Sequence, residues 1–387
     1  MVRAMTQLSR RSFLKNTSAA TLAAAVAPGF LGSVAKAAAA QKTRVFIGSH
    51  TATGILAYDW DPATAELTPA GVAATVANVA WLAFSHGHEY VYSASELDSF
   101  EGKPAGEVAS FRVERGELHP LSARNSAGKG TAHVAIDHTG RMAIAADYVG
   151  GSAASFRIGE GKLSEAVWTE HYTFHGPNPD RQKTAHAHFS SFSPDNRFAY
   201  INDLGGDCIH IYRPDVATAA MKPAGTYRGT PGSGPRTLHF HPNGHTAYCM
   251  YEMASKVEVL EWHKTDGGLT LVATIDLLPA DYQGPTRGCD TVISKDGRFV
   301  YFANRDDNFL YSFKADWQTG ALTPMKRSNC GGKTPRNFVL DPTERWMVVA
   351  NQDSNLLSVF ARDPETGLLA DEGKSYEAAT PMRILFI

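Results

Sequence analysis

His188-Phe-Ser-Ser-Phe-Ser-Pro-Asp-Asn-Arg-Phe-Ala-Tyr200 is the stretch on which the fold turns. A short apolar run meets a Pro-Asp-Asn turn, and a second apolar run follows. The proline presets one backbone angle, and the Asn or Gly after it tolerates the positive φ that a tight hairpin needs. The same unit returns as Arg236-Thr-Leu-His-Phe-His-Pro-Asn-Gly-His-Thr-Ala-Tyr248. It returns again around Ser294-Lys-Asp-Gly297 and around Asp341-Pro-Thr-Glu344, and in weaker form near Thr139 and Gly87. The equivalent turn residues Gly87, Thr139, Asp195, Asn243, Asp296 and Thr343 are spaced by 52, 56, 48, 53 and 47 residues. A period near 50 calls for a solenoid or a propeller.

Within each unit the pattern reads as strands only. Phe299-Val-Tyr-Phe302 is followed by the polar turn Asn304–Asn308 and then by the alternating run Leu310-Tyr-Ser-Phe313. A looser edge strand closes the unit, so each repeat supplies four antiparallel strands, the content of one propeller blade. Six units begin near Ala80, Ala132, Ala187, Pro235, Arg287 and Pro335. The segment from Arg44 to about Leu67 holds three strands and lacks a first one, whereas Pro381–Ile387 is a lone strand that begins as the other blades begin. Joining the two gives a seventh blade and leaves no open sheet edge. The expected fold is therefore all-β: a seven-bladed propeller of four-stranded blades, spanning residues 41–387 as one domain.

Composition bounds the function. The 387 residues carry 37 Lys+Arg against 39 Asp+Glu, a net charge of −2, which lacks the basic excess of a nucleic-acid protein. Residues 1–40 contain five basic residues and no acidic one; setting them aside leaves 32 basic against 39 acidic residues, a net of −7. That segment reads as an export signal: Arg10-Arg11 followed by Phe13-Leu14-Lys15, an Ala-rich apolar run from Ala19 to Val34, and small residues to Ala40. The paired arginines point to the twin-arginine route, which carries folded proteins, and to a periplasmic or secreted product. The Ala-rich run is too short and too weakly apolar for a good transmembrane helix, and no second span of 18 apolar residues occurs. The four cysteines, Cys208, Cys249, Cys289 and Cys330, lie in different hairpins and are expected to be free and buried. The chain is expected to act as a monomer.

First strands line the axis of a propeller, and the residues at their starts are unusual here. His133, His186, His188, Arg236, Arg287, Arg336 and Arg383 stand where a packed core would carry Val or Ile. Guanidinium groups at one channel mouth suit a carboxylate or phosphate. Their registers differ: His188, Arg236 and Arg336 lie six residues before the turn proline, His133 five before its equivalent, and Arg287 eight. A slip of one residue moves a side chain to the other face. Blade-to-blade salt bridges are the competing role for Arg236 and Arg336. Glu252 ends the second strand Ala247-Tyr-Cys-Met-Tyr-Glu252 and is placed to meet Arg236 across the hairpin. Asn304 and Asn351 hold the same relative place in the next two blades, for substrate contact or for turn capping. No Gly-x-Ser-x-Gly elbow or His-Glu-x-x-His helix occurs. His186-Ala-His188 has the spacing of a chelating pair but lacks carboxylate partners, so neither metal nor cofactor is expected.

Taken in order, His188-Phe-Ser-Ser-Phe-Ser-Pro-Asp-Asn, Gly234-Pro-Arg-Thr-Leu-His-Phe-His-Pro-Asn, Tyr248-Cys-Met-Tyr-Glu252, Thr286-Arg287 and Pro335-Arg-Asn-Phe338 resemble the propeller lactonase family from about Arg44 to Ile387. That family includes the bacterial propeller-type 6-phosphogluconolactonase and the fungal carboxymuconate cyclase. The resemblance implies a seven-bladed propeller and a cofactor-free hydrolase acting on a sugar-acid lactone. It implies His188, Arg236, Glu252 and Arg287 as catalytic residues; the strand-position reading adds His133, His186, Asn304 and Arg336 as candidates for substrate binding. Two alternatives stay open: a cyclase acting on a muconate-type dicarboxylate, and a propeller that binds without catalysis. The sequence departs from the family pattern at Asp147-Tyr-Val-Gly150, at Tyr251 and at Cys289.

Overall fold

Seven sheets, each of four antiparallel strands, follow one another in chain order in a computed structural model that describes residues 43–387. The export-signal reading of residues 1–40 lies outside the described residues. Blade 2 spans Val79–Asn125, blade 3 Thr131–His171, blade 4 Ala187–Arg228, blade 5 Pro235–Asp276, blade 6 Gly288–Asn329 and blade 7 Pro335–Glu377. Blade 1 is the shared one: Pro381–Phe386 pairs antiparallel with Thr43–Ser49, which continues into Ile55–Asp61 and Glu66–Ala74. The first strand of each blade packs against the first strands of its two neighbours, and Pro381–Phe386 packs against Val79–Phe84, so the ring is closed. No helix occurs among the described residues.

The blades are held face to face by seven apolar clusters, one at each interface. A second strand is covered on both faces, which is why Met142–Asp147 and Thr246–Tyr251 are buried throughout. Such strands read as continuous apolar runs rather than as alternations. Fourth strands face water on the rim; Leu269–Asp276 is largely exposed. At the closing interface Trp60 of blade 1 meets Trp346 of blade 7 and Phe386 of the C-terminal strand edge-on, at centroid distances of 6.4 and 5.7 Å.

The repeat's tyrosine explains part of its recurrence. Tyr200, Tyr248 and Tyr301 donate to the carbonyls of Gly267, Gly320 and Gly367, each in the outer hairpin of the following blade, at 2.7–2.8 Å. Each of these glycines has a positive φ, and a Cβ on Gly267 would fall 2.4 Å from the Phe198 ring. One residue type thus locks a blade to the next while satisfying a buried hydroxyl.

A second regularity places the functional side chains. In every blade the last residue of the second strand pairs with the start of the first strand: Ser49 with Pro381, Ser95 with Val79, Asp147 with Thr131, Asp203 with Ala187, Tyr251 with Pro235, Asn304 with Gly288 and Asn351 with Pro335. Immediately after that pair the register breaks in all seven blades. A bulge sets two residues against one and re-aims the extra side chain. The extra residues include His188, Arg236, Cys289 and Arg336; His188, Arg236 and Arg336 line the central cavities, whereas Cys289 packs between blades 6 and 7.

Candidate active site

Two rings of equivalent positions build the site. The inner ring is the set of bulge residues: Met382, Ala80, Ala132, His188, Arg236, Cys289 and Arg336 in blade order. The outer ring is the residue that follows each second strand: His50, Glu96, Tyr148, Leu204, Glu252, Arg305 and Gln352. A cavity of about 450 Å³ opens at this end of the channel. Five outer-ring residues line it, His50, Glu96, Tyr148, Glu252 and Arg305, together with His188 and Arg336 of the inner ring. Arg181, Arg287 and Asp98 complete the charged wall.

Glu252 is the electrostatic centre. It is 3 % exposed, and its Oε2 lies 3.1 Å from Arg236 Nε, 2.7 Å from an Arg305 guanidinium nitrogen and 3.7 Å from His188 Nε2. Its Oε1 accepts a hydrogen bond from Arg181 at 2.6 Å. Burial alone would push this carboxyl up, but the Arg305, Arg236 and Arg181 guanidiniums outweigh it and hold the group well below the usual carboxylate range. Glu252 is therefore held in its ionised form at neutral pH.

His188 is held neutral. Burial lowers its pKa well below that of free histidine, and the neighbouring Arg236 lowers it further against the pull of Glu252. Its Nδ1 is buried without a hydrogen-bond partner, and Tyr148 meets the ring edge-on at 5.4 Å. The imidazole thus presents a basic nitrogen beside a fixed anion and a cluster of cations.

The predicted residues separate by register. His188, Arg236 and Arg336 share the inner ring, as their common distance from the turn proline implies. The expected contact between Glu252 and Arg236 is present. Arg236 sits behind the cavity, bound to Glu252 and to the Cys289 carbonyl at 2.5 Å. Arg336 reaches Glu96 at 3.5 Å. Arg287 precedes the first strand of its blade, stands half-exposed at the cavity rim and is clamped by Asp306 at 2.6 Å. His186 holds the matching place in blade 4; its ring stacks on Tyr148 at 4.6 Å, and Nδ1 lies 2.8 Å from the Tyr148 carbonyl. His133 follows the bulge residue Ala132 rather than being it. It packs against Trp81 and Phe189 further along the channel, with Nδ1 3.1 Å from Ser190 Oγ. Arg383 is also one position on, over the Trp81 ring at 3.9 Å and beside Asp290.

Asn304 and Asn351 do not share Glu252's place. They pair as Tyr251 does, one residue earlier, and Glu252 corresponds to Arg305 and Gln352. That one-residue difference moves the side chain off the cavity wall. Asn304 Oδ1 accepts hydrogen bonds from the amides of Arg287 and Asp306 at 3.4 and 2.9 Å. Asn351 donates to the Cys330 carbonyl and to Ser358 Oγ, each at 2.9 Å. The four cysteines are buried and free.

Arg305, Arg181, Tyr148, Glu96 and His50 escaped the sequence reading. Arg305 is legible once Glu252 is aligned with its true equivalents, because it opens the polar turn Asn304–Asn308. Arg181 has no repeat equivalent. It lies in the 172–186 connection between blades 3 and 4, which is longer than the other interblade links.

The comparisons with known proteins bear on the fold and the family. The family described as "Lactonase, 7-bladed beta-propeller" matches residues 44–386. The chain is 32 % identical over 317 residues to a 6-phosphogluconolactonase of Formosa agariphila, covering 78 % of this chain and 88 % of that protein. It is 29 % identical over 308 residues to the 6-phosphogluconolactonase of Bacillus subtilis, covering 78 % and 86 %. Among solved structures, a periplasmic gluconolactonase of Pseudomonas aeruginosa superposes with a TM-score of 0.84 at 30 % identity, covering 89 % of this chain and 99 % of that one. By fold, by the ordered motifs and by these matches, the chain belongs to the seven-bladed β-propeller lactonase family.

Proposed function

We propose that the protein is a lactonase that opens a sugar-acid lactone with water. The observation that carries this reading is the pairing, on one cavity, of a neutral buried imidazole with an ionised carboxylate that fixes three guanidinium groups. His188 takes a proton from a water molecule as that water adds to the lactone carbonyl carbon. The carbonyl oxygen becomes an oxyanion, stabilised by Arg181 and Arg305, whose geometry is set in advance by Glu252. When the ring C–O bond breaks, the departing alkoxide takes the proton back from His188. Arg236 acts behind the cavity by holding Glu252 in place, and Arg287 and Arg336 bind the substrate's outer oxygens.

The charge inventory bears on the substrate. Glu96, Glu252 and Asp306 already pair with Arg181, Arg236, Arg287, Arg305 and Arg336, and Asp98 adds a fourth carboxylate to the cavity lining. That near-balance favours an uncharged, hydroxyl-rich ring over a phosphate dianion. The arginine-paired leader and the likeness to a periplasmic gluconolactonase support the same choice, with the protein exported by the twin-arginine machinery. The reading is tested by following acid release from gluconolactone and from 6-phosphogluconolactone with residues 41–387 and with its His188→Ala variant. Turnover of the unphosphorylated ring that His188→Ala abolishes is expected. Equal rates in the two proteins overturn the mechanism, and binding without turnover overturns the activity.

A further inference from the structure

A buried group of ligating atoms lies outside the cavity. Asp203, Cys208 and His210 each direct one such atom into a space where all three lie within 4.8 Å of one another. The hairpin of blade 4 produces this arrangement. Asp203 and Cys208 are opposite partners across the strand pair, and so point to the same face. His210 lies two residues after Cys208 on one strand, and so shares that face as well. Strand geometry alone therefore converges a carboxylate, a thiol and an imidazole.

We propose that Asp203, Cys208 and His210 bind a zinc-type divalent cation. His210 Nε2 lies 3.5 Å from both Cys208 Sγ and Asp203 Oδ2. For an N–H···O hydrogen bond that spacing is too long, since such bonds lie at about 2.7–3.2 Å. For the edge of a zinc tetrahedron it is right. Metal–ligand bonds of about 2.0–2.3 Å at tetrahedral angles put neighbouring ligand atoms about 3.3–3.6 Å apart. A thiolate, an imidazole and a carboxylate together suit zinc and leave its fourth position open.

The surroundings are those of a prepared site. Asp203 Oδ1 accepts hydrogen bonds from the His186 and Gly206 amides at 2.8 and 3.0 Å, which orients the carboxylate. The His210 ring is stacked against Tyr172 at 3.9 Å and Phe174 at 5.4 Å, which sets its plane. Binding exchanges the Cys208 thiol proton for the metal, so one proton is released for each ion bound. Tyr172 and Phe174 open the connection that carries Arg181, and the amide of His186 closes it. A bound ion would thus brace the segment that delivers Arg181 to Glu252.

The test is a cobalt(II) titration of the chelator-treated wild-type protein, read by visible and near-ultraviolet absorption. Saturation at one equivalent is expected, with a thiolate-to-cobalt charge-transfer band, tetrahedral ligand-field bands, and displacement of both by zinc. The charge-transfer band should vanish in Cys208→Ser and persist in Cys330→Ser, whose thiol lies at another blade interface. A wild-type titration without the thiolate band overturns the proposal, whether or not the variants fold. So does a band that survives in folded Cys208→Ser.

Discussion

Glu252 accepts a hydrogen bond at 2.6 Å from Arg181, a residue 71 positions earlier in a connection outside the blade repeat. The same guanidinium donates to the Tyr148 hydroxyl at 2.9 Å. Arg181 is partly open to solvent, whereas the carboxylate it meets is buried. The pair therefore contributes little to folding, roughly 1 kcal/mol or less, and its contribution should appear in substrate handling. Arg181→Ala is expected to leave the urea midpoint almost unchanged and to lower kcat/KM for the lactone by about 10²–10³, mostly through kcat, the effect of removing one oxyanion donor. Glu252→Gln should behave differently. It leaves the buried Arg236 and Arg305 without a counter-charge, an imbalance that costs about 3–5 kcal/mol. Urea unfolding of the two variants side by side separates the roles.

His188 is expected to set the acid limb of the pH–rate profile. Burial and Arg236 lower its pKa, so protonation should remove the base only below the range in which an ordinary histidine titrates. The kcat profile should stay flat down through about pH 6.5, the unperturbed histidine value. Arg336 is another of the cations that disfavour the imidazolium. Arg336→Gln removes a positive charge, favours the protonated ring and should move the acid limb to higher pH. His188→Gln should lower kcat by about 10²–10⁴-fold, the usual contribution of a positioned base. An Arg336→Gln limb that stays in place would show that another group titrates there.

The blade count, the shared closing blade and the inner ring were legible in the sequence because the turn is a fixed landmark. Counting back from Pro194, Pro242 and Pro342 finds His188, Arg236 and Arg336, the three bulge residues whose turns keep the proline. Where the landmark is degenerate the count drifts. His133 and Arg287 fall one and two positions from the bulge residues of their blades, Ala132 and Cys289. The outer ring was harder to find because no turn marks it; it shows only when first and second strands are paired. Arg181 and the Asp203–Cys208–His210 group carry no repeat signal, since one comes from a unique connection and the other from cross-strand neighbours.

That register makes a prediction of its own. Asn304 and Arg305 are adjacent in sequence, but only Arg305 belongs to the outer ring; Asn304 ends the second strand. Asn304 Oδ1 accepts two backbone amides, and Arg305 faces the cavity. Asn304→Ala should cost about 1–2 kcal/mol of stability through the lost cap and leave kcat/KM within about threefold. Arg305→Ala should lower kcat/KM by about 10²–10³, the effect of removing one oxyanion donor. Reversed effects on stability and kcat/KM would restore Asn304 to Glu252's place.

Asp147 gives a pH signature independent of catalysis. It is completely buried beside Tyr148, and burial pushes its carboxyl up to about 8 despite hydrogen bonds from Thr131 and Ser152 at 2.8 and 3.0 Å. In the unfolded chain the same group titrates near pH 4. Between those values the folded state keeps a proton that the unfolded state has released. Stability therefore falls as pH rises through this window, and is greatest at its acid end as far as this group is concerned. Asp147→Asn keeps the size and the hydrogen-bonding capacity of the side chain without the ionisation. Its thermal midpoint should fall less than the wild type's from about pH 5 to about pH 8. Parallel midpoint curves for the two proteins would mean that Asp147 is ionised in the folded state at neutral pH.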